Sequence, residues 1–378
     1  MSVNKVKIKN KAAAERRHWV RLTNACNQRC IFCHDRRNQR GGAVPFEEIV
    51  RDLQKGRRRG CRRVVLSGGE PTLHPRLAEV ISAARRLGYS HVQMVSNGRM
   101  LFYKDFVKSL KDSGLDEVTL SLHSHLEGPF EQITRAKGSF RQAMKGLLAV
   151  LENDFIVSVD IVINKLNYKT LARTMKFFIG LGVHEFDLLH LIPFGDAWQN
   201  RKDVYYSVQR AKKYLDEAFE LSRKEQVYLW TNRLPAMYLE GYEDLIQSPR
   251  KLFDEVAGME QELKKVLETG RPMSCAGERC GHCFMQGFCQ DLLQLRKDKL
   301  LSARQPPPCL KRKQQLKPAV YRFRKGMSLY RFLDFFIEHR YYVKSLRCGQ
   351  CRFSRQCDGA HIEEIRAKGF KILVPFKK

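Results

Sequence analysis

The sequence predicts an α/β fold, a parallel sheet flanked by helices and followed by a smaller cysteine-rich C-terminal domain. Three observations carry that expectation. Short runs rich in β-branched residues alternate with stretches of helical period through the first half of the chain, the pattern of βαβ units. Polar or glycine-containing turns recur just after those runs. Nine of the 12 cysteines fall in three short clusters built on C-x2-C, one near the N-terminus and two beyond residue 272. At 378 residues, and about 100 to 200 residues per domain, the chain has room for two or three units.

Residues 1–16 are polar and basic without a hydrophobic period, which predicts a loose arm. Strand-forming Trp19-Val20-Arg21-Leu22 leads into Cys26-Asn27-Gln28-Arg29-Cys30-Ile31-Phe32-Cys33. Phe46, Ile49, Val50 and Leu53 give helical spacing over 45–55, with Glu47 and Glu48 where a helix N-terminus favours negative charge. The strand 63–67 runs into Ser67-Gly68-Gly69-Glu70-Pro71. A helix over 75–87 precedes the strand 91–95 and the turn Ser96-Asn97-Gly98. A helix over 104–113 leads to the strand 117–122, which carries Ser121 and is followed by His123. A helix over 140–152, a strand over 156–163 ending at Asn164, a helix over 171–181 and a strand over 185–192 holding His190 complete six units. Residues 201–271 read as a polar helical connecting region in which Tyr214, Leu215, Ala218, Phe219 and Leu221 form one apolar stripe. Gly270-Arg271-Pro272 breaks that pattern and opens a cysteine-rich domain over 272–378.

Cys26, Cys30 and Cys33 are spaced C-x3-C-x2-C. A short loop with these gaps can put three thiolates on three corners of a 4Fe-4S cube and leave the fourth iron open. A zinc knuckle or a set of buried thiols are the alternatives, and three thiols with no fourth ligand nearby fit a closed tetrahedral zinc site poorly.

Arg21-Leu22-Thr23-Asn24-Ala25 before the first cysteine, Phe32 before the last, and Ser67-Gly68-Gly69-Glu70-Pro71 downstream together resemble the radical S-adenosylmethionine (SAM) enzymes. The resemblance implies a partial (β/α)6 TIM-like barrel over 17–200, with active-site groups at the C-terminal strand ends. It implies that the open iron chelates the amino and carboxylate groups of SAM. One electron, from a flavodoxin or ferredoxin-type reductant, then cleaves SAM to methionine and a 5'-deoxyadenosyl radical that takes a hydrogen from the substrate. By the same resemblance Phe32, Gly68, Gly69 and Glu70 lie at the cofactor, with Glu70 at the SAM amino group. Asn97, Ser121 and Asn164 line its ribose and carboxylate, the alternative being that they cap helices or satisfy turns. His34 is a neighbour that tunes the cluster. His123 and His125 either touch SAM or substrate or are structural, and Cys61 reads as a buried small hydrophobe. No catalytic side chain is assigned.

Beyond the boundary come Cys275, Cys280, Cys283 and Cys289, then Cys309, then Cys348, Cys351 and Cys357. Two stretches repeat C-G-x-C-x5-C, which argues for two related metal-binding halves. The core resembles the auxiliary-cluster (SPASM) domain of the radical SAM branch that matures peptides, sulfatases and quinone cofactors. That domain commonly adds a cysteine after three further residues, where this chain has Leu293 and His361. One or two auxiliary Fe-S clusters are implied, with Cys275 and Cys309 completing sets whose pairing is open. Structural zinc is the alternative.

The formal net charge is +29. Arg57-Arg58-Arg59, Arg62-Arg63 and Lys311-Arg312-Lys313 could bind RNA phosphates, steer an acidic electron carrier, or stand as solvated faces. No apolar run approaches the ~18 residues of a membrane span, and the lysines at 5, 7, 9 and 11 are followed by no apolar core. A cytoplasmic protein with its thiols reduced is expected. The resulting function is hydrogen abstraction from a peptide or protein. Cofactor biosynthesis on a small molecule and RNA modification are the other enzyme readings, and a zinc-stabilised RNA-binding protein is the alternative from another class.

Overall fold

The computed structural model describes residues 17–35, 41–310 and 319–376. The expected basic arm and the Lys311-Arg312-Lys313 run lie outside them. The chain folds as two compact units, Met1–Leu229 and Trp230–Lys378.

The first unit alternates strand and helix: β1 (Arg17–Thr23), α1 (Phe46–Arg58), β2 (Arg63–Gly68), α2 (Leu77–Arg86), β3 (His91–Ser96), α3 (Lys104–Asp112), β4 (Glu117–Ser121), α4 (Glu127–Thr134), α5 (Ser139–Glu152), β5 (Ile156–Val162), α6 (Leu171–Gly180) and β6 (Glu185–Leu189). Three more helices, α7 (Gly195–Gln199), α8 (Arg201–Val204) and α9 (Val208–Phe219), lead to β7 (Tyr228–Asn232). The sheet order is β1-β2-β3-β4-β5-β6-β7, and β1 through β6 pair in parallel. This is the α/β architecture of a partial barrel.

Val64, Val65 and Leu66 are fully buried in β2, as Val118 and Leu120 are in β4, because helices cover the sheet. Ile49 and Leu53 of α1 and Val80, Ile81 and Ala84 of α2 form the covering stripes. Helix α1 carries Glu47 and Glu48 in its first turn and Lys55, Arg57 and Arg58 in its last, matching the helix dipole at both ends.

The expected 201–271 connecting region is instead divided between the two units. Helix α9 packs on α6 within the first unit. A seventh strand, β7, follows it, with Leu229 and Thr231 buried and their neighbours more exposed. That period of two is short and sits in a charged stretch, so helical spacing masks it in the sequence.

In the second unit α10 (Leu252–Gly258), α11 (Glu260–Thr269), α12 (Gln286–Asp298) and α13 (Leu329–His339) surround one core. Phe288 of α12 sits 5.5 Å from Phe332 and 5.4 Å from Phe336 of α13, ring centre to ring centre. Two antiparallel pairs flank these helices: β8 (Leu300–Ser302) with β9 (Val320–Arg322), and β10 (Tyr342–Val343) with β11 (Ala360–His361). Helix α14 (Ile362–Lys368) follows. No helix among the described residues is long and apolar enough to cross a membrane.

Candidate functional site

The site is built at the C-terminal ends of the strands. The loop leaving β1 carries Cys26, Cys30 and Cys33, all half-buried. Its chain returns alongside β1, with Asn24 N–H on the Gly42 carbonyl at 3.1 Å and Val44 N–H on that of Leu22 at 2.8 Å. Helix α4 receives it through Arg29 N–H to Thr134 O and Ile31 N–H to Ile133 O, both 2.9 Å. The start of α7 closes it from below Cys33, where Asp196 N–H donates to the Cys33 carbonyl at 2.8 Å.

The Gly-Gly-Glu-Pro turn after β2 docks directly on this loop. Gly69 N–H donates to Thr23 O at 2.7 Å and Glu70 N–H to Ala25 O at 2.8 Å. A Cβ on Gly69 would lie 2.1 Å from the Ala25 carbonyl oxygen, so only glycine permits the approach. Gly68, at φ +135, occupies a conformation that side chains rarely adopt.

Glu70 is 1% exposed. Its carboxylate accepts from Thr72 Oγ1 at 2.6 Å, Thr72 N–H at 3.2 Å, Ser96 Oγ at 2.7 Å and Asn97 N–H at 2.7 Å. Burial raises its pKa, and these donors oppose the rise. Glu70 thereby ties the ends of β2 and β3 together. Asn97 carries the tie to the cysteine loop, its Nδ2 donating to Asn27 Oδ1 at 2.7 Å and approaching Cys26 Sγ at 4.0 Å.

The remaining expected positions divide. Phe32 meets the His123 ring edge-on at 4.9 Å. His123 is buried, which lowers its pKa to about 3 and keeps it neutral, and its Nδ1 accepts from Val162 N–H at 3.3 Å. Ser121 is half-buried at the end of β4, paired with Asp160 of β5. Asn164 is fully buried, and both ends of its side chain serve its own loop: Nδ2 donates to Val162 O at 3.0 Å and Oδ1 accepts from Leu166 N–H at 2.9 Å. That is the turn-satisfying alternative. His125 Nδ1 pairs with Thr174 Oγ1 at 2.9 Å, and Cys61 is buried.

Several contributors went unread in the sequence. Gln28 Oε1 accepts from Cys30 Sγ at 3.4 Å, while its buried Nε2 has no partner among the described residues. Arg99 donates to the Asn27 carbonyl and, at 2.7 Å, to Gln142 Oε1. Gly195 abuts the carbonyls of Cys33 and His34. His190, which the sequence did single out, falls one residue past the end of β6 and not within it, its Nδ1 3.0 Å from the Tyr206 hydroxyl, and the unread Tyr168 stacks on Tyr206 at 5.5 Å. Gln28 and Arg99 were legible by position, each inside or beside a stretch already singled out.

A family model described as the radical SAM superfamily matches residues 20–178. Residues 20–178 thus carry a radical SAM domain. Members use a 4Fe-4S cluster and SAM, and these are its cofactors. A probable GTP 3',8-cyclase of Saccharolobus solfataricus is 33% identical over 178 residues, 47% of this chain and 57% of that protein. One from Sulfolobus acidocaldarius is 33% identical over 195 residues, 50% of this chain and 58% of that one. The chain thus spans little more than half the length of these curated relatives. Among solved structures, Streptococcus suis SuiB bound to precursor peptide SuiA shares the fold at a TM-score of 0.50 and 17% identity, over 64% of this chain and 54% of that one.

The residues present fit a cluster. Burial pushes the Cys26 thiol up to about 11, with Glu70 and Cys33 adding to the rise against the Gln28 N–H, so a bound cation is what would make it a thiolate here. The Gln28 side chain that carries the orphaned Nε2 reaches the loop through its Oε1, 3.4 Å from Cys30 Sγ. Among the described residues no three His, Cys, Asp or Glu side chains converge tightly enough for a single ion.

Proposed function

We propose that this chain binds a 4Fe-4S cluster through Cys26, Cys30 and Cys33, cleaves SAM there, and takes a hydrogen from a peptide or protein. The observation that carries the cofactor half is the docking of the Gly-Gly-Glu-Pro turn on the three-cysteine loop, through a glycine that no other residue can replace. The bound cofactors supply hydrogen abstraction after one-electron cleavage of SAM.

The chain's own residues bind and orient. Gly68, Gly69 and Glu70 hold the SAM amino group, with Asn97 and Ser121 toward its ribose and carboxylate. Phe32 and the neutral His123 form an apolar wall that keeps water from the loop. Asn164 acts by fixing the turn after β5. Flavodoxin or a ferredoxin-type protein delivers the electron.

The peptide reading is supported by the cysteine repeat of the second unit, which resembles an auxiliary-cluster domain. A second reading, cofactor biosynthesis on a nucleotide, is favoured by the barrel's identity to the probable GTP 3',8-cyclases. Anaerobically reconstituted protein with dithionite and SAM should release 5'-deoxyadenosine, and Cys30→Ala should reduce it to background. Undiminished release from Cys30→Ala would sink the assignment. Stimulation by a short peptide encoded beside this reading frame, with a mass change in that peptide, separates the first reading from stimulation by GTP.

A further inference from the structure

The stretch 299–333 holds ten lysines and arginines and no aspartate or glutamate. Strands β8 and β9 lie within it and pair only with each other. Phe323 N–H donates to Lys299 O at 3.0 Å and Ala303 N–H to Ala319 O at 2.7 Å. Ladder bonds of an antiparallel pair fall on every second residue, so Ala319, Tyr321 and Phe323 turn their main chain toward β8. The N–H and C=O groups of Val320 and Arg322 therefore point outward. No hydrogen bond reaches these four groups among the described residues. The outer edge of β8 is in use, since Arg340 donates to the Ser302 carbonyl.

The two faces of the ladder differ. Leu301 is buried, and Tyr321 packs its ring against Phe332 and Phe335 at 5.4 and 5.2 Å, so this face belongs to the core. On the other face Leu300 stands opposite Arg322 and Ser302 opposite Val320, all exposed.

Cations elsewhere in the unit are neutralised: Arg233 by Glu255 and Arg250 by Asp334, each at 2.6 Å, and Arg347 by Glu240 at 2.8 Å. Arg322, Arg324 and Lys325 are exposed and meet no carboxylate among the described residues. Arg296 and Lys299, at the end of α12, lie over the Phe323 ring at 5.0 and 4.7 Å from its centre. Asp298 is the one acidic residue between positions 292 and 333.

We propose that the outer edge of β9 docks an extended acidic polypeptide segment, which adds as a third strand and sets a carboxylate beside Arg322. The added strand bonds to the open main-chain groups of Val320 and Arg322. Its alternate side chains then stand beside theirs, an apolar one at Val320 and an acidic one at Arg322, with Arg324 and Lys325 next along the chain. The same cations repel a second copy of this edge, so the charge that guards against self-pairing admits an acidic strand. Single-stranded RNA fits less well, because no ring here offers a face to a base: Phe323 already carries Arg296 and Lys299, and Tyr321 is packed in the core. The docking edge lies outside the reaction itself and holds whether the substrate is a peptide or a nucleotide.

Full-length protein titrated with a fluorescein-labelled alternating Glu-Val octapeptide tests this by anisotropy. The peptide should bind, more weakly as salt rises. Its copy N-methylated on every residue keeps the charge but cannot pair as a strand, and should lose about tenfold or more in affinity. Arg322→Glu, Arg324→Glu and Lys325→Glu together should cost at least as much. Val320→Pro removes an outward N–H and spares the ladder with β8, so it should weaken the octapeptide and leave the N-methylated copy unchanged. If either variant misfolds by circular dichroism, the N-methylated copy carries the test on unaltered protein. Equal binding of the two peptides would mean charge attraction alone and overturn the strand. No binding of the octapeptide at low salt is equally fatal, and binding of oligo-uridine or phosphatidylserine vesicles in its place would make this a nucleic-acid or membrane face.

Discussion

Gly69 and Gly42 lie at the two ends of the cysteine loop's packing and make opposite demands. A methyl group on Gly69 would meet backbone at 2.1 Å, which cannot swing aside, whereas nothing lies within 4 Å of one on Gly42. Gly69→Ala should cost about 1–3 kcal/mol as an overpacked contact and lower the iron retained after reconstitution, while Gly42→Ala should stay within about 0.5 kcal/mol. Urea midpoints and iron content measure both, and an unchanged midpoint for Gly69→Ala would refute the docking. At this scale the sequence marked positions, and the structure adds what they touch. Glu70 and Asn97 were legible because two motifs coincide at adjacent strand ends. Asn164 turns its side chain into its own loop, whereas His361 spends Nε2 on the Ile337 carbonyl and Nδ1 on the Glu363 N–H, and the direction a polar side chain takes at a strand end depends on neighbours distant in sequence.

Strands β2, β3, β4 and β6 converge at their N-terminal ends on one charged cluster. Glu117 accepts from Arg63 and from His91, each at 2.7 Å. Burial, then the like charge of Glu117, raises the pKa of Glu185 on β6 to about 7, Arg63 and Arg17 opposing. The folded state therefore holds this proton more tightly than the unfolded chain. Its contribution is most favourable below the ordinary glutamate value and is lost as pH rises through 7. Between pH 4.5 and 8 the loss is of order 3 kcal/mol at most, at 1.36 kcal/mol per pKa unit. Glu185→Gln should flatten that part of the profile and be the more stable protein at pH 8, by urea titrations at both pH values. A variant as pH-sensitive as the parent would show that Glu185 is ionised without penalty. Six strand-helix units were readable because helical and strand periods switch cleanly there. Strand β7 and helix α4 were not, since each is short and lies among charged or turn-forming residues where local period is weak.

Across the whole molecule the charge of +29 is not one undivided surface. Arg63 is buried against Glu117, and Arg57 is spent on the carbonyls of Leu87 at 3.0 Å and Cys61 at 2.6 Å. Arg58, Arg59 and Arg62 remain exposed, but they lie where α1 ends and β2 begins, the end of the sheet opposite the cysteine loop. The length of β2, about 20 Å at ~3.3 Å per residue, separates them from it. That is more than two Debye lengths at physiological salt, about 8 Å each. Arg29, by contrast, is exposed within the loop itself. An acidic reductant that must approach the cluster should feel Arg29 and not the distant trio. Arg29→Glu should slow reduction by flavodoxin at low salt by about tenfold and flatten its salt dependence, in the range of steering effects on association. Reversing Arg58, Arg59 and Arg62 together should leave both unchanged in stopped-flow measurements of cluster bleaching. If the distant trio proves as damaging as Arg29→Glu, the summed field of the molecule governs the encounter. If instead the trio abolishes a tight, salt-sensitive binding of RNA, that face is a nucleic-acid surface and the RNA reading gains the support it now lacks.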